Sequence, residues 1–314
     1  MSFVNESLTN VTAGQQYHSL VGIVLSSALT TLTCCVFLFI NGTLLYTLRS
    51  KSGFRETSRY LLLYNLLFAD TVQLAESQVL FLFSAGRVML SYPVCGILAF
   101  LSNLTFVISP LTLVVMSLER YVAVCYPLRH SSIITVRNTG LAIVLVWAFG
   151  SLNVLAHISL LLQFPFADLE SLQMKDHCTI SAMMLTQISY HFEEAFTCFL
   201  FAVAGVTVIS SYIGVIVVAR SASTDKASAR KARNTMTLHL VQLGLSLLST
   251  VHNPILATLS QIMSRVELLR IQIFIYMCTI LLPRCLSALI YGLRDQTIRP
   301  VLMHHLCCRL NHTH

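Results

Sequence analysis

The triplet Glu119-Arg120-Tyr121 is the main concentration of charge inside an otherwise apolar part of this sequence, and it stands where a long apolar run ends. Glu119 can hold the Arg120 guanidinium in an ion pair, and a released guanidinium offers five donors in a rigid fork. A charged group at the edge of a membrane is costly to keep in lipid, which favours a functional role. We therefore predict a reversible switch that binds a partner segment. The alternative is an arginine that only extends its head group to the interface.

The sequence offers no nucleophile beside a base, no phosphate-binding loop and no regular set of metal ligands. His304-His305 followed by Cys307-Cys308 is a candidate metal site, but its spacing is irregular. We predict no enzymatic activity, no cofactor and no bound metal.

Seven apolar runs must position these groups. Hydrophobic residues make up 55% of the chain and charged residues 11%, whereas soluble domains carry about 25% charged residues. Helices of roughly 20 apolar residues cross a bilayer and satisfy their own backbone groups. The sequence predicts an all-α membrane protein, a seven-transmembrane helix bundle with a short amphipathic C-terminal helix. The predicted spans are Leu20–Leu48, Ser58–Phe83, Pro93–Cys125, Thr139–Gln163, Ser189–Ala219, Thr235–Met263 and Leu268–Leu293.

Basic residues predict the orientation of the bundle, because they are enriched in cytoplasmic loops. With the N-terminus outside, 15 of the 20 Lys and Arg residues lie on the cytoplasmic side. The prediction is an extracellular tail at 1–19, a receptor domain at 20–293 and a cytoplasmic helix and tail at 294–314. The net charge of +7 then faces anionic membrane lipid rather than nucleic acid.

Several residues fit this orientation. Asn5 and Asn10 begin glycosylation sequons in the outer tail. Cys95 and Cys178 both fall on the outer side, where an oxidising environment favours a disulfide over two free thiols. Cys307 and Cys308 fall on the inner side and are candidate palmitoylation sites.

Residues 116–130 read MSLERYVAVCYPLRH, and Arg120 follows Cys95 by 25 residues. This stretch resembles the signature of rhodopsin-like (class A) G-protein-coupled receptors, in the longer form found in odorant receptors. Further stretches agree in order with this family and its odorant branch, and the two in span seven are similar to fish odorant receptors. They are Asn41 in span one, Ala69-Asp70 in span two, SYI at 211–213, KARNT at 231–235 with LHL at 238–240, PRCLS at 283–287 and IYGLRD at 290–295.

The resemblance implies an odorant receptor in the plasma membrane. Its partners would be a small-molecule odorant outside and a heterotrimeric G protein of the cyclic-AMP-stimulating olfactory type inside. Tyr212 and Tyr291 lie near the depth of Arg120 and would join the switch. The alternatives are a non-olfactory class A receptor for a lipid or peptide, and a transporter or channel.

Asp70 lies in the middle of span two and needs a polar partner there. The resemblance implies a sodium-linked cluster, for which Ser109 and Ser287 are candidate neighbours. Arg284 is unusual: it either pairs with Asp70, pairs with the rival Glu76, or turns toward the ligand cavity. Ala288 stands where the family has a helix-kinking proline.

The cavity between spans three, five, six and seven is the predicted ligand site, mostly apolar as such pockets usually are. Ser102 occupies the position where amine receptors of the family carry an aspartate, so a cationic amine would find no counter-ion there, and biogenic and trace amines are disfavoured as ligands. Glu193 and Glu194 could bind a cation, but we expect them to be solvated. The candidate ligand contacts are Ser102, Asn103, Phe106, Phe196, Phe199, Leu200, Leu247, Thr250, Val251 and Met277.

Overall fold

The computed structural model describes residues 2–164, 173–174, 178–221, 226–250, 274–286 and 297–311, with isolated positions at 255, 258–259, 262–263, 271 and 288. A single turn of 310-helix, Ser181–Met183, precedes the fifth long helix. The α-helices are α1 (Ser2–Ser50), α2 (Ser52–Arg55), α3 (Ser58–Ala85), α4 (Tyr92–Cys125), α5 (Pro127–Ile133), α6 (Val136–Leu162), α7 (Gln187–Ser221), α8 (Lys226–Thr250), α9 (Phe274–Leu286) and α10 (Ile298–Asn311).

Five helices of the described chain are long and apolar enough to cross a membrane: Ser27–Ser50 of α1, all of α3, α4 and α6, and Gln187–Val218 of α7. They coincide with the first five predicted spans. Helices α8 and α9 are the described parts of predicted spans six and seven. One turn of α9, Met277–Leu281, is a π-helix, a local widening that often occurs at functional sites.

The outer surface of the bundle is apolar. Helix α6 exposes Leu141, Leu145, Leu152 and Leu155 along one side, at the spacing of a helix face. Such a surface would be unfavourable in water, whereas lipid tails accept it without cost. The described helices therefore have the surface of a multi-pass membrane protein.

The largest buried cluster lies in the half of the bundle that contains Arg120. Leu113 and Met116 of α4 pack there with side chains of α1, α3, α7 and α8. Ile298 and Leu302 of α10 belong to the same cluster, together with Leu44 of α1. The C-terminal helix is thus fixed to the bundle by one apolar face, as an amphipathic helix must be.

Two helices begin earlier than the sequence predicted. Helix α1 starts at Ser2 rather than near Leu20, and no proline interrupts the added turns. Helix α8 starts at Lys226, so the basic segment 226–233, predicted as a loop, is helical. Its alanines, lysines and arginines are strong helix formers. The short helices α2 and α5 were not predicted.

Local signals explain other boundaries. Thr135 caps α6 by accepting a hydrogen bond from the backbone N–H of Asn138 at 3.1 Å. Pro93 and Pro127 stand in the first turns of α4 and α5, where the missing N–H of proline costs nothing. The two prolines thus mark the start of α4 and the break between α4 and α5.

Candidate functional site

A buried ion pair lies at mid-bundle between α3 and α9. Arg284 Nη1 donates to Asp70 Oδ1 at 2.8 Å, and Ser109 Oγ of α4 donates to the same oxygen at 2.7 Å. The two charged side chains are only 3% and 1% exposed. Of the arrangements that the sequence left open for Arg284, the structure contains the pair with Asp70. The guanidinium and the serine together tie three helices at one carboxylate.

A second ion pair lies near the C-terminal end of α4. Arg120 Nε lies 3.0 Å from Glu119 Oε2, and the side chains are 19% and 8% exposed. His130 Nε2 of α5 lies 3.8 Å from Glu119 Oε1. The Arg120 guanidinium is thus held by its sequence neighbour at a partly exposed edge. We call this region the Arg120 end, and the opposite region, near Cys95, the disulfide end.

Tyr121 packs directly on α7. A Cβ atom added at Gly214 would overlap the Tyr121 ring, so a glycine is needed for the ring to reach this position. Tyr121 also meets Tyr126 edge to face, with ring centroids 6.0 Å apart. Tyr212 lies two residues before Gly214 and is half buried. The sequence had not singled out Gly214, although a glycine within an apolar helix indicates a close approach of this kind.

The disulfide end is closed by Cys95–Cys178, whose Cα atoms are 5.5 Å apart. Cys95 lies in the first turn of α4 and is fully buried, packed with Met174 and Met183 of the loop that follows α6. The Met174 N–H also donates to the Leu90 carbonyl at 3.0 Å. The predicted bridge is present and holds this loop against α4.

The predicted ligand contacts do not all face the interior. Phe199 is 58% exposed and lies on the outward apolar stripe of α7 with Val203 and Val206, so its assignment to the cavity is wrong. Its neighbour Leu200 is buried, because consecutive residues on a helix point about 100° apart. Phe196 stacks on Phe149 of α6, with ring centroids 5.7 Å apart.

The remaining described candidates form an incomplete wall. Phe106 lies 6.1 Å from Phe201 by ring centroids, and Ser102 and Met277 are half buried. Leu247 is half exposed, one turn beyond the buried Leu243 of α8. Their contact with a ligand stays a prediction.

Asn103 and Glu193 belong to a polar cluster that joins α4, α6 and α7. The Asn103 amide nitrogen lies 3.3 Å from both Glu193 carboxylate oxygens, and Asn153 donates to Asn103 Oδ1 at 2.8 Å. His157 Nε2 lies 2.7 Å from Glu193 Oε2. The expectation that Glu193 is solvated is therefore wrong, whereas Glu194 is 63% exposed. Asn153 and His157 are one turn apart in an apolar run, a signal that the sequence interpretation missed.

A second missed contact surrounds the single tryptophan of the chain. Trp147 of α6 donates to Asn65 Oδ1 at 2.8 Å, and Asn65 donates to Thr112 Oγ1 of α4 at 2.9 Å. The first hydrogen bond connects α6 to α3 and the second connects α3 to α4, at a level between the two ion pairs. Asn41 is fully buried in α1, and neither atom of its amide group finds a partner among the described residues.

A cavity of about 480 Å³ opens between α4 and α6 at the disulfide end. It differs from the predicted ligand site, since its walls come from the outward side of α4, where Ile97 is strongly exposed. The wall residues are Tyr92, Pro93, Gly96, Ile97, Phe100, Ile158, Leu161 and Met183.

Several predictions fall on side chains that lie outside the described residues. Their roles in glycosylation, palmitoylation, the switch, the polar core and the ligand site stay predictions. These residues are Asn5, Asn10, Thr250, Val251, Ser287, Tyr291, Cys307 and Cys308.

Comparison with known proteins covers most of the chain. Residues 40–291 match the family model of the 7 transmembrane receptor (rhodopsin family). Odorant receptor 131-2 of Danio rerio is 30% identical over 87% of this chain and 83% of its own length. Olfactory receptor 2AJ1 of Homo sapiens is 26% identical over 64% of this chain and 62% of its own length. Olfactory receptor 2A7 of Mus musculus is 47% identical over 24% of this chain and 25% of its own length.

Proposed function

Because the chain belongs to the rhodopsin family of seven-transmembrane receptors, we propose that it is an odorant receptor that couples a small-molecule ligand to a heterotrimeric G protein. The relatives are named odorant and olfactory receptors, which supports an odorant as the ligand. The observation that carries the proposal is the Glu119–Arg120 pair at the end of α4. It holds a guanidinium ready for release where a partner helix can enter.

In this proposal the Arg120 end faces the cytoplasm of a plasma-membrane receptor. The distribution of Lys and Arg supports that orientation, and the disulfide Cys95–Cys178 suits the oxidising exterior. The glycosylation of Asn5 and Asn10 and the palmitoylation of Cys307 and Cys308 would then fall on the correct sides.

Activation would separate Arg120 from Glu119. The Arg120 side chain, already 19% exposed, would then donate to a segment of the G protein, by resemblance the cyclic-AMP-stimulating olfactory type. Tyr212 of α7 and Tyr291 would donate hydrogen bonds once the helices part. Tyr121 follows Arg120 in the sequence and packs on Gly214 of α7. A movement of α7 would therefore also displace Tyr121, and with it the main chain beside Arg120.

The ligand would enter from the disulfide end and touch the half-buried Ser102, Phe106 and Met277. Its contacts lie on α4 and α9, the same helices that carry Arg120 and Arg284. Arg284 of α9 and Ser109 of α4 both bind the buried Asp70 carboxylate, so a ligand that shifts α4 or α9 would act on this polar contact. The proposal assigns no catalytic step to the chain.

Arg120→Ala tests the proposal in cells that express the full chain, with cyclic AMP as readout after screening of odorants. We expect loss of the ligand-evoked signal at unchanged surface expression, because the donor to the G protein is removed. Arg137→Ala is the matched control, since Arg137 is exposed at the start of α6 at the same end.

An unchanged signal in the Arg120→Ala variant contradicts the proposed switch. A response to lipids or peptides but to no odorant supports the non-olfactory alternative, and a ligand-evoked current without G protein supports a channel.

A further inference from the structure

Among the described residues of the bundle, Glu76 is a buried acid that lacks the partners Asp70 has. Glu76 of α3 is 6% exposed, and neither of its carboxyl oxygens makes a hydrogen bond with a described residue. By contrast, Asp70 is bound by Arg284 and Ser109. An ionisable group inside a membrane bundle is costly unless something satisfies it, and such groups mark binding sites and pathways.

The position of Glu76 along α3 can be measured from the contact between Ser109 and Asp70. Ser109 of α4 touches Asp70 of α3. Ser102 lies two turns from Ser109 on the same face of α4, about 10 Å along the helix. Glu76 lies six residues from Asp70, about 9 Å in the same direction along the antiparallel α3. Accordingly, the Glu76 carboxyl lies beside the main chain of Ser102.

A second acceptor lies next to this carboxyl. Gln73 precedes Glu76 by three residues, which makes the two side chains neighbours on α3. Gln73 is also buried, and its Oε1 has no hydrogen-bond partner among the described residues. Two buried groups that offer three unsatisfied oxygens call for a ligand rich in donors. A primary ammonium group has three N–H donors and a charge that matches the carboxylate.

The other acid at this end is already occupied. Glu193 receives contacts from Asn103, His157 and Thr197, so its oxygens are satisfied within the protein. Arg284 is likewise held by Asp70. Among the described residues of the bundle interior, Glu76 is therefore the acid best placed to receive a cation from outside.

We propose that Glu76 is the counter-ion for a basic amine ligand, whose ammonium group enters between α3 and α4 beside Ser102 and donates to Glu76 and Gln73. Ser102 is half buried and belongs to the predicted ligand site. In this proposal, Glu76 of the neighbouring α3 supplies the carboxylate that amine receptors of the family have as an aspartate at the position of Ser102. The inference rests on the proposed receptor function and names the chemical class of its ligand.

The test compares amines with neutral alcohols of the same carbon skeleton, for example hexylamine with hexanol, on the full-length receptor. Stabilisation of the purified receptor in lipid nanodiscs measures binding, and cyclic AMP in cells measures signalling. We expect the amines to be the better ligands of the wild type. Glu76→Gln should weaken the best amine by about thirtyfold or more, since it removes one partner of a buried charge pair.

Two further variants separate recognition from folding. Glu194→Gln makes the same acid-to-amide change at an exposed position of α7 and should leave the amine response unchanged. Ser102→Asp, added to Glu76→Gln, returns a carboxylate to the same space from α4 and should restore most of the amine affinity.

The proposal is wrong if no amine of the panel stabilises the wild type more than its alcohol, or if Glu76→Gln binds amines as the wild type does. A wild type that signals to neutral odorants alone overturns the amine site and leaves the proposed receptor function intact.

Discussion

Two carboxylate–guanidinium pairs in this protein use the same chemistry in opposite surroundings. Asp70 and Arg284 come from helices far apart in the sequence and meet in the middle of the bundle, 3% exposed or less. Glu119 and Arg120 are sequence neighbours at the end of α4, where Arg120 is 19% exposed. The first pair also binds Ser109 of α4, whereas His130 is only a distant neighbour of the second.

The difference indicates which pair can open. Separation of Asp70 from Arg284 would leave two charges without water, which is strongly unfavourable. Arg120 is already partly exposed, so its separation from Glu119 should cost less than separation of the core pair. We infer that the core pair fixes the arrangement of α3, α4 and α9, and that the edge pair is the part that moves in signalling.

The largest expected effect follows from breaking the core pair. Arg284→Gln or Asp70→Asn alone should lower the free energy of unfolding by about 3–5 kcal/mol, because each leaves an unpaired buried charge. Thermal unfolding of the purified receptor and the yield at the cell surface measure this loss.

The double variant should recover a large part of that stability, because it buries no charge. If the two single losses simply add, the two residues are not coupled and the comparison fails.

A smaller effect is expected from Gly214→Ala at the edge. The added Cβ overlaps the Tyr121 ring, and overpacking of this kind costs about 1–3 kcal/mol. Gly205→Ala is the matched control on the same helix, because nothing lies within 4 Å of its added Cβ. Thermal unfolding measures both variants.

Tyr121→Ala in the Gly214→Ala background removes the overlap and should reverse most of the loss. A Gly214→Ala variant as stable as the Gly205→Ala control would show that Tyr121 does not rest on α7.

The smallest effect concerns the edge pair itself. Glu119→Gln removes the charge that holds Arg120, and a partly exposed ion pair contributes about 0.2–1 kcal/mol. We expect the ligand-independent cyclic AMP level to rise by about two- to fivefold, with little change in stability. Cyclic AMP normalised to surface receptor measures this rise.

Glu56→Gln is the control, because Glu56 is an exposed acid just after α2. If the ligand-independent cyclic AMP level is unchanged in Glu119→Gln, Glu119 does not restrain Arg120. The two ion pairs would then differ in their location and not in their ability to open.

Much of the architecture was predictable because it depends on local sequence. The apolar runs placed α3, α4, α6 and α7 within a few residues of their observed bounds. The start of α1 was missed because residues 2–19 are polar, and an apolar window does not detect a helix that continues beyond the apolar run. Phe199 was misplaced because the rotation of α7 about its own axis cannot be read from composition alone. Its outward stripe becomes visible only when the whole helix packs.

The sequence by itself determined that lipid surrounds a helical bundle, where its spans begin, and which charged residues the bundle must accommodate. These properties follow from hydropathy and from the spacing of motifs along one chain. Only the tertiary structure decided which acid meets which base: Asp70 rather than Glu76 pairs with Arg284, and Glu193 is paired with the buried His157. The physical reason is that such partners lie on different helices, so their contact depends on how far each helix is rotated and shifted against its neighbours.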